Sequence, residues 1–200
     1  MELIGEGGYG KVFRGKYIGQ EIAIKDYLKT KRHRHKEDFM KELMIISDLK
    51  HPNIVLYMGI CITADKFILV TEYMENGSLF DQLHQKNKKK KFTDLERIEI
   101  VYEIVKGMVY LHHMKKILHR DLKSSNVLIG DEWNVVKLCD FGLAGQKKKQ
   151  RKHKRVGTYQ WMAPEVIRGE DKIDEKADVY SFGVIVWEVL TEKIPYEGLS

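Results

Sequence analysis

The stretch that decides the fold is His-Arg-Asp-Leu-Lys-Ser-Ser-Asn at residues 119–126. It places a carboxylate, an ammonium group and a carboxamide next to the apolar segment 127–129. A second polar cluster, Asp-Phe-Gly at 140–142, follows the apolar segment 136–138. The segments 127–129 and 136–138 predict short strands. Asn126 and Asp140, at the ends of these segments, carry hard oxygen atoms of the kind that suit Mg²⁺.

Before this stretch, the chain changes from a strand pattern to a helix pattern and back. Residues 4–25 alternate glycines with short runs of β-branched and aromatic residues, which predicts a strand meander. Apolar residues then recur at spacings of three and four, which predicts a helix that ends at 51–53. They are Phe39, Leu43, Ile46 and Leu49. We expect two further strands at 54–62 and 67–71.

After residue 77 the pattern is mainly helical. Thr93 and Glu96 have the spacing of a capping box ahead of apolar residues at helical spacing. Those residues are Ile98, Val101, Tyr102, Val105 and Met108. A last helix is predicted to begin near Asp174 and is apolar nearly all round, as expected of a central helix. Its predicted apolar stripe is Val179, Phe182, Val186 and Leu190.

The glycine-rich segment near the start of the chain has the spacing G-x-G-x-x-G, a weak signal by itself. Residues 5–11 also match G-x-x-x-x-G-K, but Val12 stands where a P-loop needs Ser or Thr. Both the P-loop and the dinucleotide fingerprint require a helix directly after the glycines. A strand is predicted there instead, which leaves a glycine-rich hairpin able to fold over a triphosphate.

The formal net charge of +6 first suggests a nucleic-acid-binding protein. The basic residues, however, are concentrated in three runs, at 29–36, 86–91 and 147–155, which we interpret as loops. No aromatic residues are interleaved within these runs, as a single-strand-binding surface would require. We therefore expect no nucleic-acid partner.

Cysteine content and hydropathy favour a reducing, cytoplasmic setting. Cys61 and Cys139 are far apart and suggest neither a disulfide framework nor a zinc site. The longest apolar runs fall short of the ~20 residues that cross a bilayer, so we expect no transmembrane segment. The start of the chain lacks the basic and apolar regions of a secretory signal.

Five motifs, in order, closely resemble those of the protein kinase family. They are the glycine-rich loop, Ile-Ala-Ile-Lys at 22–25, the H-R-D-L-x-x-x-N motif at 119–126, Asp-Phe-Gly at 140–142 and Ala-Pro-Glu at 163–165. The resemblance covers almost the whole chain.

That resemblance implies an α+β, bilobal protein kinase fold. We expect residues 1–74 to form a small β-rich N-lobe with one helix, and residues 75–200 to form a larger, mainly α-helical C-lobe. Kinase folds continue with further helices beyond the helix that ends near Glu192, so the C-lobe is expected to be incomplete at its C-terminus.

The resemblance also implies ATP and Mg²⁺ as cofactors and assigns the residues that bind them. Phosphate-binding positions are Gly5, Gly7, Gly8, Gly10 and Lys25, with Glu42 orienting the lysine. Positions around adenine are Val12, Ala23 and Leu128, with the gatekeeper Thr71 and the hinge residues Glu72 and Met74. The metal ligands would be Asn126 and Asp140.

The remaining assignments concern the transferred group. Asp121 would accept the proton of the substrate hydroxyl, and Lys123 would stabilise the phosphoryl group. Lys123 and Thr158 resemble the residues that serine/threonine kinases have at these positions, whereas residues 71–79 and Trp161 look like those of tyrosine kinases. This mixture indicates the tyrosine-kinase-like group, whose members mostly phosphorylate Ser and Thr. Thr158 would bridge Asp121 and Lys123.

The resemblance leaves two other function classes open. A pseudokinase scaffold would use the same fold to bind partners, but the residues that carry the chemistry are all present. A nucleic-acid-binding module would use the basic runs. We favour an intracellular signalling kinase whose partners are protein substrates and regulatory proteins.

Overall fold

A computed structural model describes residues 1–7, 10–27, 34–63, 66–85, 90–146, 158–170 and 172–198. Most of the three basic runs lies outside these ranges, so the prediction that they are loops is not tested there. Residues 34–36 of the first run are described, and they begin a helix rather than a loop, so the prediction is wrong for them. Gly8 also lies outside the described ranges.

The first part of the chain forms a five-stranded antiparallel sheet in the order β1-β2-β3-β5-β4. Its strands are β1 (Glu2–Gly7), β2 (Gly10–Tyr17), β3 (Gln20–Tyr27), β4 (Tyr57–Ile62) and β5 (Phe67–Glu72). The first three form the predicted meander. The central position of β3 in the sheet places Lys25 between β2 and β5.

The predicted helix is α1 (Arg34–Ile46), which is shorter than we expected. After Ile46 the backbone tightens, because the amides of Asp48 and Leu49 bond to carbonyls three residues back. Leu49 is nevertheless buried, 2% exposed, from the turn that follows the helix.

The prediction of a strand from Ile54 was also wrong in its first residues. The amide of Val55 donates to Leu138 O at 3.0 Å, and the amide of Leu138 donates to Asn53 O at 2.9 Å. Residues 53–55 therefore pair with Leu138, in the second part of the chain, rather than with β5. Only from Tyr57 onward does the strand join β5.

The second part is mainly helical. Its helices are α2 (Leu79–His84), α3 (Asp94–Val109), α4 (Pro164–Arg168) and α5 (Lys176–Thr191). The predicted capping box is present at the start of α3, where Thr93 and Glu96 bond reciprocally. A π-helical turn, Tyr110–Lys115, continues α3. None of the described helices is long and apolar enough to cross a membrane.

The apolar stripes that we predicted for α3 and α5 were only partly right, since Met108 is buried and Val101 and Phe182 pack against the core. On α3, Ile98 is 63% and Tyr102 61% exposed, whereas Ile100 and Ile104 are buried. Gly107 explains the choice of face, since a Cβ there would lie 3.0 Å from Leu138 and 3.1 Å from Asn53 O.

On α5 the buried face contains polar side chains. Asp178, Ser181 and Glu188 are buried with Ile185 and Val189. Two residues of the predicted stripe, Val179 and Leu190, are exposed instead.

Two small antiparallel sheets carry the segments between α3 and α4. They pair β6 (Ile117–Leu118) with β9 (Gly145–Gln146), and β7 (Val127–Ile129) with β8 (Val136–Leu138). The predicted strands at 127–129 and 136–138 are confirmed exactly in their bounds. These sheets hold segments 119–126 and 139–144 beside each other, and the amide of Cys139 donates to Asn126 O at 3.0 Å.

Candidate active site

A buried ion pair joins the sheet to α1. Lys25 Nζ of β3 lies 3.0 Å from Glu42 Oε1 of α1. The other carboxylate oxygen, Glu42 Oε2, accepts a hydrogen bond from the hydroxyl of Tyr27. Glu42 is only 2% exposed, so both donors act on it away from bulk water.

The same lysine reaches the second polar cluster. Lys25 Nζ lies 3.0 Å from Asp140 Oδ1, although the two residues are 115 positions apart. Burial lowers the pKa of Lys25, but Asp140 and Glu42 outweigh burial and hold the pKa well above its ordinary value. Lys25 therefore remains a cation between two carboxylates.

The two carboxylates respond differently to this environment. Burial raises the pKa of Glu42 above its ordinary value, and the charge of Lys25 offsets this only in part. For Asp140, burial also acts to raise the pKa, but the charge and hydrogen bond of Lys25 leave the pKa below its ordinary value. Asp140 is thus ionised at neutral pH and is available to bind a cation.

The glycine-rich hairpin is formed by β1 and β2, and Gly7 pairs with Gly10. Gly10 has a φ of +143°, and a Cβ there would lie 2.1 Å from Asp26 O. No other residue fits at this position. Gly5 pairs with Val12 across the hairpin.

The positions assigned to adenine come from both parts of the chain. Ala23 pairs with Thr71 across β3 and β5, and Val12 pairs with Lys25 across β2 and β3. Leu128 of β7 forms a bridge to Ser78. The side chains of Val12, Ala23 and Leu128 are half-buried.

Some polar groups of residues 71–77, at the end of β5 and just after it, are already hydrogen-bonded to one another. Thr71 Oγ1 donates to Glu72 O at 3.2 Å, and Gly77 N–H donates to Met74 O at 3.1 Å. The Glu72 side chain is directed to Lys137, with distances of 2.7 and 2.8 Å. The Met74 side chain is buried, 5% exposed.

Asp121, Lys123 and Thr158 form one hydrogen-bonded group. Lys123 Nζ donates to Thr158 Oγ1 at 2.7 Å and lies 3.1 Å from Asp121 Oδ2. Asp121 Oδ1 accepts from the amide of Thr158 at 3.2 Å and lies 3.4 Å from its hydroxyl. Asn126 Nδ2 donates to Asp121 O at 2.7 Å, so the amide oxygen of Asn126 is the atom of this side chain that could bind a cation.

Asp178 of α5 binds the backbone of the residues that directly precede Asp121. Its carboxylate accepts the amides of His119 and Arg120, each at 2.8 Å, and lies 2.8 Å from His112 Nε2. Arg120 has a φ of +67°, a left-handed conformation that these bonds stabilise. Burial acts to raise the pKa of Asp178, but the hydrogen bond from His112 and the charge of His119 leave it below its ordinary value.

Our sequence interpretation did not include Tyr27 or Glu188. Glu188 is fully buried and accepts Ser124 Oγ at 2.6 Å and Trp161 Nε1 at 3.0 Å, with His84 Nε2 at 2.7 Å. An acid in the middle of the apolar second half of α5 was a usable signal for Glu188. For Tyr27 the signal was its spacing of two from Lys25 on a strand, since such residues share a face.

The fold and the arrangement of this site define the class of a protein kinase. A comparison with protein-family models agrees, since residues 1–200 match the protein kinase domain. The chain therefore belongs to the protein kinase domain family. This confirms the predicted fold class, in which a β-sheet N-lobe precedes a helical C-lobe.

Curated relatives narrow the class further. The chain is 41% identical over 203 residues to the serine/threonine-protein kinase CTR1 of Arabidopsis thaliana, covering 100% of this chain and 24% of that protein. It is 43% identical over 200 residues to the serine/threonine-protein kinase STY46 of the same plant, covering 98% of this chain and 34% of that protein. These likenesses confirm the resemblance to serine/threonine kinases of the tyrosine-kinase-like group. The chain spans only about a quarter to a third of the length of these relatives.

Proposed function

We propose that this chain transfers the γ-phosphoryl group of Mg-ATP to Ser and Thr hydroxyls of protein substrates in cytoplasmic signalling. The observation that carries the proposal is the position of Lys25 Nζ, 3.0 Å from both Glu42 and Asp140. The lysine of one motif, the aspartate of another and a glutamate of α1 meet at this ammonium group. Phosphoryl transfer depends on such positioning and charge neutralisation.

The donor set fits Mg²⁺. The carboxylate of Asp140 and the amide oxygen of Asn126 are hard oxygen ligands, and Mg²⁺ binds through one or two carboxylates together with substrate phosphates. Among the described residues, no three His, Cys, Asp or Glu side chains are grouped so that they could hold a metal ion. The arrangement therefore fits a metal that is bound partly by the protein and partly by substrate phosphates. Bound Mg²⁺ would neutralise charge on the phosphates.

The residues around the nucleotide would act by binding and orientation. Lys25, held by Glu42, would contact phosphate oxygens beneath the glycine-rich hairpin of Gly5, Gly7, Gly8 and Gly10. Val12, Ala23 and Leu128 would enclose adenine. Its polar edge would meet the Glu72 carbonyl and the Met74 N–H, since the Met74 carbonyl already accepts Gly77 N–H. Thr71 would border the pocket behind the ring.

The residues around the acceptor hydroxyl would move the proton. Asp121 would accept the proton of the substrate hydroxyl and orient its oxygen toward the γ-phosphorus. Lys123 would stabilise the charge on the transferred group. Thr158 contacts both residues and would fix their spacing, which supports Ser and Thr as the acceptors.

The two lobes would meet after Met74, with residues 1–74 as the N-lobe and 75–200 as the C-lobe. This boundary falls between the end of β5 at Glu72 and the start of α2 at Leu79. The proposed cytoplasmic setting rests on the free thiols of Cys61 and Cys139. Regulatory proteins are the further partners that we propose.

The test is transfer of labelled γ-phosphate from Mg-ATP to a degenerate peptide library, followed by phosphoamino-acid analysis of the product. We expect phosphoserine and phosphothreonine, and about a hundredfold or greater loss of product with Asp121→Asn, which controls for a contaminating kinase. Phosphotyrosine as the main product would contradict the serine/threonine assignment. Absence of transfer by the wild type would instead support a pseudokinase scaffold.

The metal assignment predicts a difference in thermal stabilisation. Mg-ATP at about 100 times its Kd should stabilise the wild type by about 2.7 kcal/mol, which raises Tm by about 5–10 °C. Asp140→Ala should lose the part of this shift that depends on Mg²⁺, because the charged ligand is gone. Differential scanning fluorimetry with ATP, with and without Mg²⁺, measures both.

The matched control is Asp131→Ala, which removes an exposed acid near β8. It should keep the full Mg²⁺-dependent shift. Equal Mg²⁺-dependent shifts in Asp140→Ala and the wild type would refute the role of Asp140.

A further inference from the structure

Tyr27 and Lys25 hold the same carboxylate from the same strand. They are two positions apart on β3, so their side chains project from one face. Lys25 Nζ donates to Glu42 Oε1 at 3.0 Å, and the Tyr27 hydroxyl donates to Glu42 Oε2. The carboxylate of α1 is thus bound at both oxygens, once by a cation and once by a neutral donor.

The ring of Tyr27 is held by an aromatic cluster that spans the sheet and α1. It packs edge-to-face on Phe39 of α1, with ring centroids 5.1 Å apart. Phe39 in turn stacks on Phe67 of β5 at 5.1 Å. Tyr27 is 3% exposed, and Lys25 Nζ lies 4.9 Å from its ring centroid. The position of the hydroxyl is therefore set by packing as well as by its hydrogen bond.

The environment makes a neutral donor useful at this carboxylate. Burial raises the pKa of Glu42, and the hydrogen bond from Tyr27 acts in the opposite direction, because it favours the ionised form. Burial also raises the pKa of Tyr27 far above its ordinary value. The Tyr27 hydroxyl therefore keeps its proton and remains a donor at every working pH.

Lys25, in contrast, is shared. It contacts Asp140 as closely as it contacts Glu42, and our proposed function also requires it to contact phosphate. The three N–H donors of Lys25 are therefore divided among several acceptors. The Tyr27 hydroxyl, with one proton to donate, gives it to Glu42.

We propose that Tyr27 is a positioning residue of the kinase reaction, which holds the Glu42 carboxylate ionised and in place while Lys25 engages the nucleotide phosphates. This inference rests on the proposed function, since it assigns Tyr27 a part in the same site. Tyr27 acts through Glu42 and contacts no reacting atom.

The test is Tyr27→Phe, which removes the hydroxyl and keeps the ring packed on Phe39. Without the donor, Glu42 protonates at higher pH and releases Lys25. We expect the acid limb of the kcat/KM profile to move up by about one pH unit, as the loss of one hydrogen bond to a charged group predicts. Mg-ADP affinity, measured by calorimetry over the same pH range, should weaken over the same interval.

Several titratable groups face Glu42, so the assignment of the shift needs a second variant. They are Lys25 and Tyr27 of β3, and Cys139 and Asp140 of the segment after β8. Burial raises the pKa of Cys139, so its thiol stays protonated in this range. In a Glu42→Gln background, Tyr27→Phe should have no further effect on either profile, because the titrating partner is absent.

The matched control is Tyr110→Phe. The Tyr110 hydroxyl also makes one hydrogen bond, accepting the amide of Lys50 at 2.9 Å, but it lies outside the site. Its removal should leave both pH profiles unchanged. An equal shift in Tyr110→Phe would show a general structural effect and overturn the inference.

The outcomes separate this inference from the proposed function. If the wild type transfers phosphate and Tyr27→Phe leaves both profiles unmoved, the inference fails and the proposed function stands. If the wild type binds Mg-ADP without transfer, the proposed function fails, and a shifted affinity profile in Tyr27→Phe still supports the positioning of Glu42. A wild type that binds no Mg-ADP would overturn both.

Discussion

Asp121→Asn is expected to lower kcat by about 10²- to 10⁴-fold, the range for loss of a general base. The substitution keeps the shape of the side chain but removes its ability to accept a proton. It also removes the negative charge that lies 3.1 Å from Lys123. The KM for Mg-ATP should change little, because Asp121 contacts the acceptor side of the site. Steady-state rates on a peptide substrate measure both constants.

Two further measurements test the interpretation of this loss. The Tm of Asp121→Asn should stay close to that of the wild type, since the side chain is replaced by one of the same size. The control Asp131→Asn removes an exposed acid and should keep full activity. A kcat for Asp121→Asn within tenfold of the wild type would rule out the proposed base.

Asp178→Ala is expected to lower the free energy of unfolding by about 3–5 kcal/mol, the range for removing one partner of a buried ion pair. The amides of His119 and Arg120 would lose their acceptor, and His112 would lose its partner. Because Asp178 is 2% exposed, water cannot replace it without opening the core. Urea unfolding measures the loss.

The effect of Asp178 should depend on pH in a defined direction. Its folded pKa lies below the ordinary value of 3.8, so its stabilising contribution is full above that pH. The contribution is lost as the pH falls through the folded pKa. Stability of the wild type should therefore fall more steeply below pH 4 than that of Asp178→Ala.

The control for Asp178→Ala is Asp174→Ala. Asp174 is exposed and accepts the amide of Lys176 at the start of the same helix, at 2.8 Å. Its loss should cost about 1 kcal/mol, as for a helix cap. Equal losses for the two variants would show that the buried contacts of Asp178 contribute no more than the exposed hydrogen bond of Asp174.

Local pattern was sufficient wherever a short segment decides its own structure. The capping box of Thr93 and Glu96 and the strands at 127–129 and 136–138 appear as predicted. The capping box depends on bonds between near neighbours, and the two strands pair with each other across one short loop.

Pattern failed where a helix carries apolar residues on more than one side. Ile98 and Ile100 are equally apolar, and only the close approach of Leu138 and Asn53 to Gly107 decides that Ile100 is buried. On α5, Glu188 is buried although its residue type favours the surface. Three donors from other segments compensate for its burial, and periodicity along one helix contains no information about them.

The family could be recognised from the sequence, through motifs whose order and residue types the chemistry requires. How those motifs act together depends on the tertiary structure. It placed Lys25 equally close to Glu42 and Asp140, and it brought the Tyr27 hydroxyl to the free oxygen of that glutamate. The reason is physical: the energy of a buried charge depends on every group within a few ångströms, and these groups come from segments that are distant in the chain.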